Sequence, residues 1–299
     1  MEKTSSHYSS SLTLAWVLTL LTTILPEVLL KEVLKMPVPD WLLGVKIANL
    51  VIVLLLGFWF SVFRPLQKYS LVLTALLLLE YGSALLRNTL WWKMFFAGNG
   101  FVASMTSQQI LRVLSALLMV GLLVLLFKKF SAFFVVKGDP KATAAPIPLI
   151  MTRSTTWIKL GWILTLCISG GTGVFLVIGA GSSLPQLQKM LPFAPFILLF
   201  ALTNSFAEEV SYRANLLATL TPDFDREDAL LMSAAMFGMQ HYYGVPYGLV
   251  GVIMAGILGW LLGKSMLETK GIAWAWGIHF CQDVLIFTFM AVGSIVAGG

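Results

Sequence analysis

The sequence predicts an all-α fold, a polytopic membrane helical bundle of eight or nine transmembrane helices, on three observations. Of 299 residues, 58% are hydrophobic and 11% charged, against about 25% charged in soluble domains. The apolar residues gather in runs long enough, or nearly so, to cross about 30 Å of hydrocarbon. The basic residues stand singly or in pairs between those runs, as they do at membrane faces. The net charge of +6 is therefore read as membrane patterning, and nucleic acid is excluded as a partner.

The runs are, in order, Leu12–Leu34, Leu42–Phe63, Leu71–Leu86, Ile110–Phe127, Trp157–Ala180, Phe193–Tyr212, Ala229–Tyr242, Tyr247–Gly263 and Ile272–Val296. Pro26 and Glu27 interrupt the first and the seventh is short, which makes the count eight or nine. With no small-x-small cleavage site after it, the first run is read as a retained helix. A cytoplasmic N-terminus and nine crossings put most lysines and arginines inside, among them Lys128, Lys129, Lys137, Lys141, Arg153 and Lys159. The expected location is thus the cytoplasmic membrane with the N-terminus inside. Cys167 and Cys281 give neither a metal spacing nor a disulfide framework.

Lys-Gly-Asp-Pro-Lys-Ala-Thr-Ala-Ala-Pro-Ile-Pro breaks helical periodicity after Val136. It divides the chain into 1–134, N-terminal helices in a supporting role, 135–156, a Pro-rich linker loop, and 157–299, a core carrying the unusual chemistry. In the first part Glu80 and Arg87 share a helical face and read as a structural pair. Asp225 or Asp228 is placed to cap the helix that follows the acidic loop 222–228.

Glu208 and Glu209 close the apolar run that begins at Phe196. A charged group at membrane depth costs about 2.5–3.5 kcal/mol on insertion scales, so such residues mark a functional site. Three pairs sit four residues apart, which stacks each on one helix face: Glu209 with Arg213, Phe237 with His241, and His279 with Asp283. Of three histidines, His7 lies in the polar N-terminal tail and the other two lie in apolar runs. The 100° turn between adjacent residues gives the two glutamates different targets. Glu209 is expected on Arg213 as a structural support, leaving Glu208 to face the cavity as a general base.

Peptide hydrolysis needs an activated water and a stabilised oxyanion. Glu208 with His241 can polarise the water, and His279 with Asp283 can supply or orient the opposing group. Glu208, His241 and His279 can equally form a three-ligand zinc site with an open position, and spacing does not decide between the two. The His-Glu-x-x-His helix and the Gly-x-Ser-x-Gly turn of other hydrolases are absent.

At these residues the chain resembles the CAAX-protease and bacteriocin-processing family of intramembrane proteases, and its type II CAAX prenyl endopeptidases in particular. The family pattern stands here as Glu208-Glu-Val-Ser-Tyr-Arg213, Phe237-Gly-Met-Gln-His241 and His279-Phe-Cys-Gln-Asp283, over about residues 195–290. The resemblance implies an endopeptidase acting on a membrane-associated peptide or protein in the lipid bilayer. It implies Glu208 as the water-activating residue, His241 as its partner, and His279 with residue 283 facing the oxyanion. The prenyl endopeptidases typically carry Asn at the last position. Asp283, when ionised, accepts hydrogen bonds only, which leaves it to orient His279, to act protonated or to bind metal.

Two other classes fit parts of the pattern. A non-catalytic scaffold or bacteriocin-type immunity protein can keep the fold without cleavage. A transporter or proton relay also uses buried Glu, His and Arg, but it predicts two similar halves with broken helices, and this chain is asymmetric.

Overall fold

The computed structural model describes residues 5–96, 100–147, 150–180 and 188–298. Its only strands among them are two-residue segments, so the fold is helical as expected. The helices are α1 (Ser5–Thr22), α2 (Leu25–Val28), α3 (Leu42–Leu56), α4 (Gln67–Asn88), α5 (Leu90–Phe95) and α6 (Phe101–Phe127). After β1 (Thr143–Ala144) and β2 (Thr155–Thr156) follow α7 (Trp157–Ala180), α8 (Ala194–Glu209), α9 (Asn215–Leu220), α10 (Arg226–Gln240), α11 (Leu249–Thr269) and α12 (Ala273–Gly298).

Six helical stretches among the described residues are long and apolar enough to cross a membrane, and a bent pair over His7–Thr22 and Leu25–Val33 makes up to seven. The expected eight or nine differ from this count for a local reason. α3 and α10 have 15 residues each, or about 22 Å at 1.5 Å per residue, and α10 opens with Arg226, Glu227 and Asp228. The first run is broken where it carries Pro26, with a 58° bend. Lys46 holds the bend by donating to the Thr23 carbonyl at 2.7 Å and to Glu27 at 2.7 and 2.8 Å, which uses all three ammonium protons.

The chain forms two compact units that interleave in sequence. One comprises residues 1–80, 121–133 and 211–264, the other 81–120, 134–210 and 265–299. In the second, α12 packs against both α7 and α8. Gly161 lets α7 approach closely, since a side chain there would collide with the Trp274 ring. Helices in lipid associate through such packing, because the tails are as apolar as the side chains.

A core of Phe101, Met105, Met190, Ile197, Phe200, Ala201, Phe287, Ala291 and Val292 joins α6, α8 and α12. The ring of Phe200 lies 5.9 Å from Phe101 and 6.1 Å from Phe287. The stripe running up α8 from Phe200 passes Asn204 and Glu208, and the stripe running down α12 from Phe287 passes Asp283 and His279. Each step of four on one helix is matched by a step of four on the other, so the two run antiparallel in register.

The Pro-rich loop is strapped to the turn before α12, within the same unit. Asp139 N–H donates to the Thr269 carbonyl at 2.8 Å and Ile272 N–H to the Val136 carbonyl at 2.9 Å. Gly138 sits at φ +71 with no space for a side chain against Thr269 and Gly271, as only glycine tolerates. Trp157 Nε1 donates to Glu268 at 2.8 Å. Pro148, the last of the loop's three prolines, lies outside the described residues.

Candidate active site

Of the expected site residues, Glu208, Glu209, His279 and Asp283 come together in the second unit. His279 Nδ1 donates to Glu209 Oε1 at 2.7 Å. Its Nε2 stands 3.6 Å from Glu208 Oε2 and 3.6 Å from Asp283 Oδ1. Glu209 is fully buried, and the His279 and Asp283 side chains are 4% exposed. The adjacent glutamates therefore share a target, contrary to the expectation from their 100° separation. The two nitrogens of one imidazole point in different directions, so two side chains a quarter-turn apart reach the same ring from either side.

Two residues that sequence reasoning missed complete the cluster. Asn204, one turn before Glu208 and buried, donates through Nδ2 to Glu208 Oε1 at 3.2 Å and to Asp283 Oδ2 at 2.9 Å. Its Oδ1 accepts from Gln109 at 3.4 Å and from Arg112 Nη1. The amide orientation follows from these partners, because the flipped form would set its oxygen against two carboxylates and its NH2 against a guanidinium. Arg112 Nη1 also donates to Glu208 Oε1 at 2.7 Å. Both Arg112 and Gln109 come from α6, in the half of the chain expected to be support alone. The signal was present, since Arg112 is a cation inside an apolar run.

The remaining expected residues belong to the first unit. Directly after Glu209 the helix makes a π turn over Val210–Ala214, a feature often found at functional sites. The Arg213 guanidinium lies 4.0 Å over the Phe237 ring, and its Nε donates to the Gly259 carbonyl at 3.5 Å. The ring of Phe237 is also 4.4 Å from that of His241. Phe237 thus touches both a cation and an imidazole, which gives physical content to a Phe four residues before a His. His241 Nδ1 donates to the Phe237 carbonyl at 2.7 Å, so in the neutral ring Nε2 carries the lone pair. Tyr212 donates to Glu80 at 3.0 Å and its carbonyl accepts from Ser233 at 2.8 Å, a partner for Glu80 that sequence spacing did not indicate. Asp225 occupies the N-cap position of α10 without a capping side-chain bond.

No group of three or more His, Cys, Asp or Glu side chains among the described residues is arranged to hold a metal ion. Within the second unit, one oxygen of Glu208 carries a guanidinium.

The second unit thus brings three carboxylates and an imidazole together on two apolar helices. Residues 190–285 match the family model described as type II CAAX prenyl endopeptidase Rce1-like, which supports the resemblance to the CAAX protease and bacteriocin-processing family. The matched family is one of membrane-embedded CAAX-type proteases, and the match covers residues 190–285 of this chain. No curated protein and no solved structure matches the chain.

Proposed function

We propose that the chain is an endopeptidase that cleaves its membrane-associated substrate by glutamate-activated water. The observation that supports this most is the division of Glu208, with Oε1 held by Arg112 and Asn204 and Oε2 turned toward His279 Nε2. Glu208 Oε2 takes a proton from water as the water oxygen bonds to the scissile carbonyl carbon. The carbonyl π electrons move to its oxygen, and His279, charged through Nε2–H and steadied at Nδ1 by Glu209, donates to that oxyanion. Collapse re-forms the carbonyl and expels the amine, which takes the proton from Glu208. Asp283 orients His279 rather than donating to the oxyanion. His241 enters as the second basic group on the family resemblance, with Nε2 as its basic nitrogen.

The test uses purified full-length protein in liposomes with a quenched fluorescent CAAX peptide, prenylated and unprenylated. Cleavage lost in Glu208→Gln, in His279→Ala and in His241→Ala supports the assignments, and cleavage surviving Glu208→Gln overturns the mechanism. Full activity after exhaustive chelation supports the metal-free route, whereas zinc and activity lost together would select the metal route. We further place the protein in the cytoplasmic membrane with its N-terminus inside, on the asymmetry of its basic loops. A reporter fused after Gly299 is expected to face outward.

A further inference from the structure

We propose that Arg112 is a positioning residue of the active site, clamping Oε1 of Glu208 together with Asn204 so that Oε2 is the oxygen presented to water. The inference rests on the reading of Glu208 as the base. Arg112 lies on α6, outside the residues 190–285 matched by the family model, so nothing in the family assignment supplies it.

The argument begins with the freedom of a glutamate. Its carboxylate turns about a soft terminal torsion, and either oxygen can face the reacting centre unless one is held. Here one is held twice, by Arg112 Nη1 at 2.7 Å and by Asn204 Nδ2 at 3.2 Å. The two clamps are tied to each other, since Arg112 Nη1 also donates to Asn204 Oδ1. Gln109 supports the same carbonyl at 3.4 Å and is in turn bonded by Thr203 at 3.1 Å. The arrangement fixes the torsion with a charge-assisted bond.

The clamp also answers a difficulty created by Asp283. An ionised Asp brings a second acceptor toward Glu208, and two carboxylates need donors between them. The Asn204 amide donates one proton to each, at 3.2 and 2.9 Å, and Arg112 adds a positive charge beside the pair. The side chain of Arg112 is 46% exposed against 15% for Glu208, so the cation reaches the carboxylate from the open side of the cluster.

The experiment measures kcat and KM on the prenylated peptide for wild type, Glu208→Gln, Arg112→Met, Arg112→Lys and Asn204→Leu, each normalised to folded protein. Misplacing a reacting group by about 1 Å can cost about 10²-fold in rate. Arg112→Met is expected to lose that much in kcat with KM within about two-fold, and Arg112→Lys to recover part of it. Added guanidinium ion is expected to raise kcat in Arg112→Met and not in wild type. A merely structural residue would lower the yield of folded protein and leave kcat per folded molecule and the guanidinium response unchanged, which overturns the proposal. Wild-type kcat in Arg112→Met with Glu208→Gln inactive overturns the clamp alone. An active Glu208→Gln, or an inactive wild type, overturns the reading of Glu208 and the clamp with it.

Discussion

His279 and His241 both have an anchored Nδ1, and they differ in what anchors it. In one unit a buried carboxylate accepts the Nδ1–H hydrogen bond of His279, and two more carboxylates stand at Nε2. In the other a backbone carbonyl accepts the Nδ1–H hydrogen bond of His241, and an aromatic ring lies beside the imidazole. A carbonyl selects a tautomer and nothing more, whereas a carboxylate also stabilises positive charge that develops on the ring. The comparison teaches that spacing in sequence, a partner four residues away in each case, does not define the histidine, since a carboxylate from another helix anchors one ring and the backbone of its own helix anchors the other.

The largest break in that comparison is expected from Glu208→Gln, which removes the base beside His279. A fall of about 10²–10⁴-fold in kcat/KM is expected, the usual worth of a general base, measured on the liposome peptide assay. Next comes Glu209→Gln, which keeps a hydrogen-bond acceptor for His279 Nδ1 but removes the charge. Its kcat should fall by about 10–100-fold with KM little changed. Were Glu209→Gln fully active, the carboxylate anchor would be no different from the carbonyl anchor of His241.

Asp283→Asn sharpens the comparison from the other nitrogen. The single Asn oxygen can face either Asn204 Nδ2 or His279 Nε2–H, so one of the two acceptor positions is lost. The change trades hydrogen bonds worth about 1 kcal/mol each, so kcat/KM should stay within about ten-fold of wild type. A complete loss would show that the charge of Asp283 is required. The smallest effect on activity belongs to Phe237→Leu in the other unit. It removes a cation–π contact worth about 0.5–2 kcal/mol, so the thermal midpoint of the detergent-solubilised protein should drop while kcat changes least of the four.

Composition and apolar runs were enough to read the helical membrane fold, because crossing a bilayer constrains length and polarity so strongly. The candidate residues were legible for the same reason, as charges where charges are costly. What spacing could not give was pairing between helices. Glu209 was expected on Arg213 from the i,i+4 rule, yet its 2.7 Å partner is His279, seventy positions away in sequence. The role of Asn204 was hidden because an Asn in an apolar run announces nothing until its acceptors are known. Arg112 was overlooked although it met the same test as Glu208, since its half of the chain was read as support. The number of spans was hardest to read where helices are short or bent, near Pro26 and at the polar start of α10.

The strap between the Pro-rich loop and the turn before α12 closes a long loop of chain. Val136 and Ile272 are hydrogen-bonded backbone neighbours, although they stand far apart in sequence. The ends of the segment from α7 to α11 are thereby tied by main-chain bonds that no side-chain truncation removes, and Gly138, where a Cβ would meet the backbone of Thr269 and Gly271, is the position at which a substitution would part them.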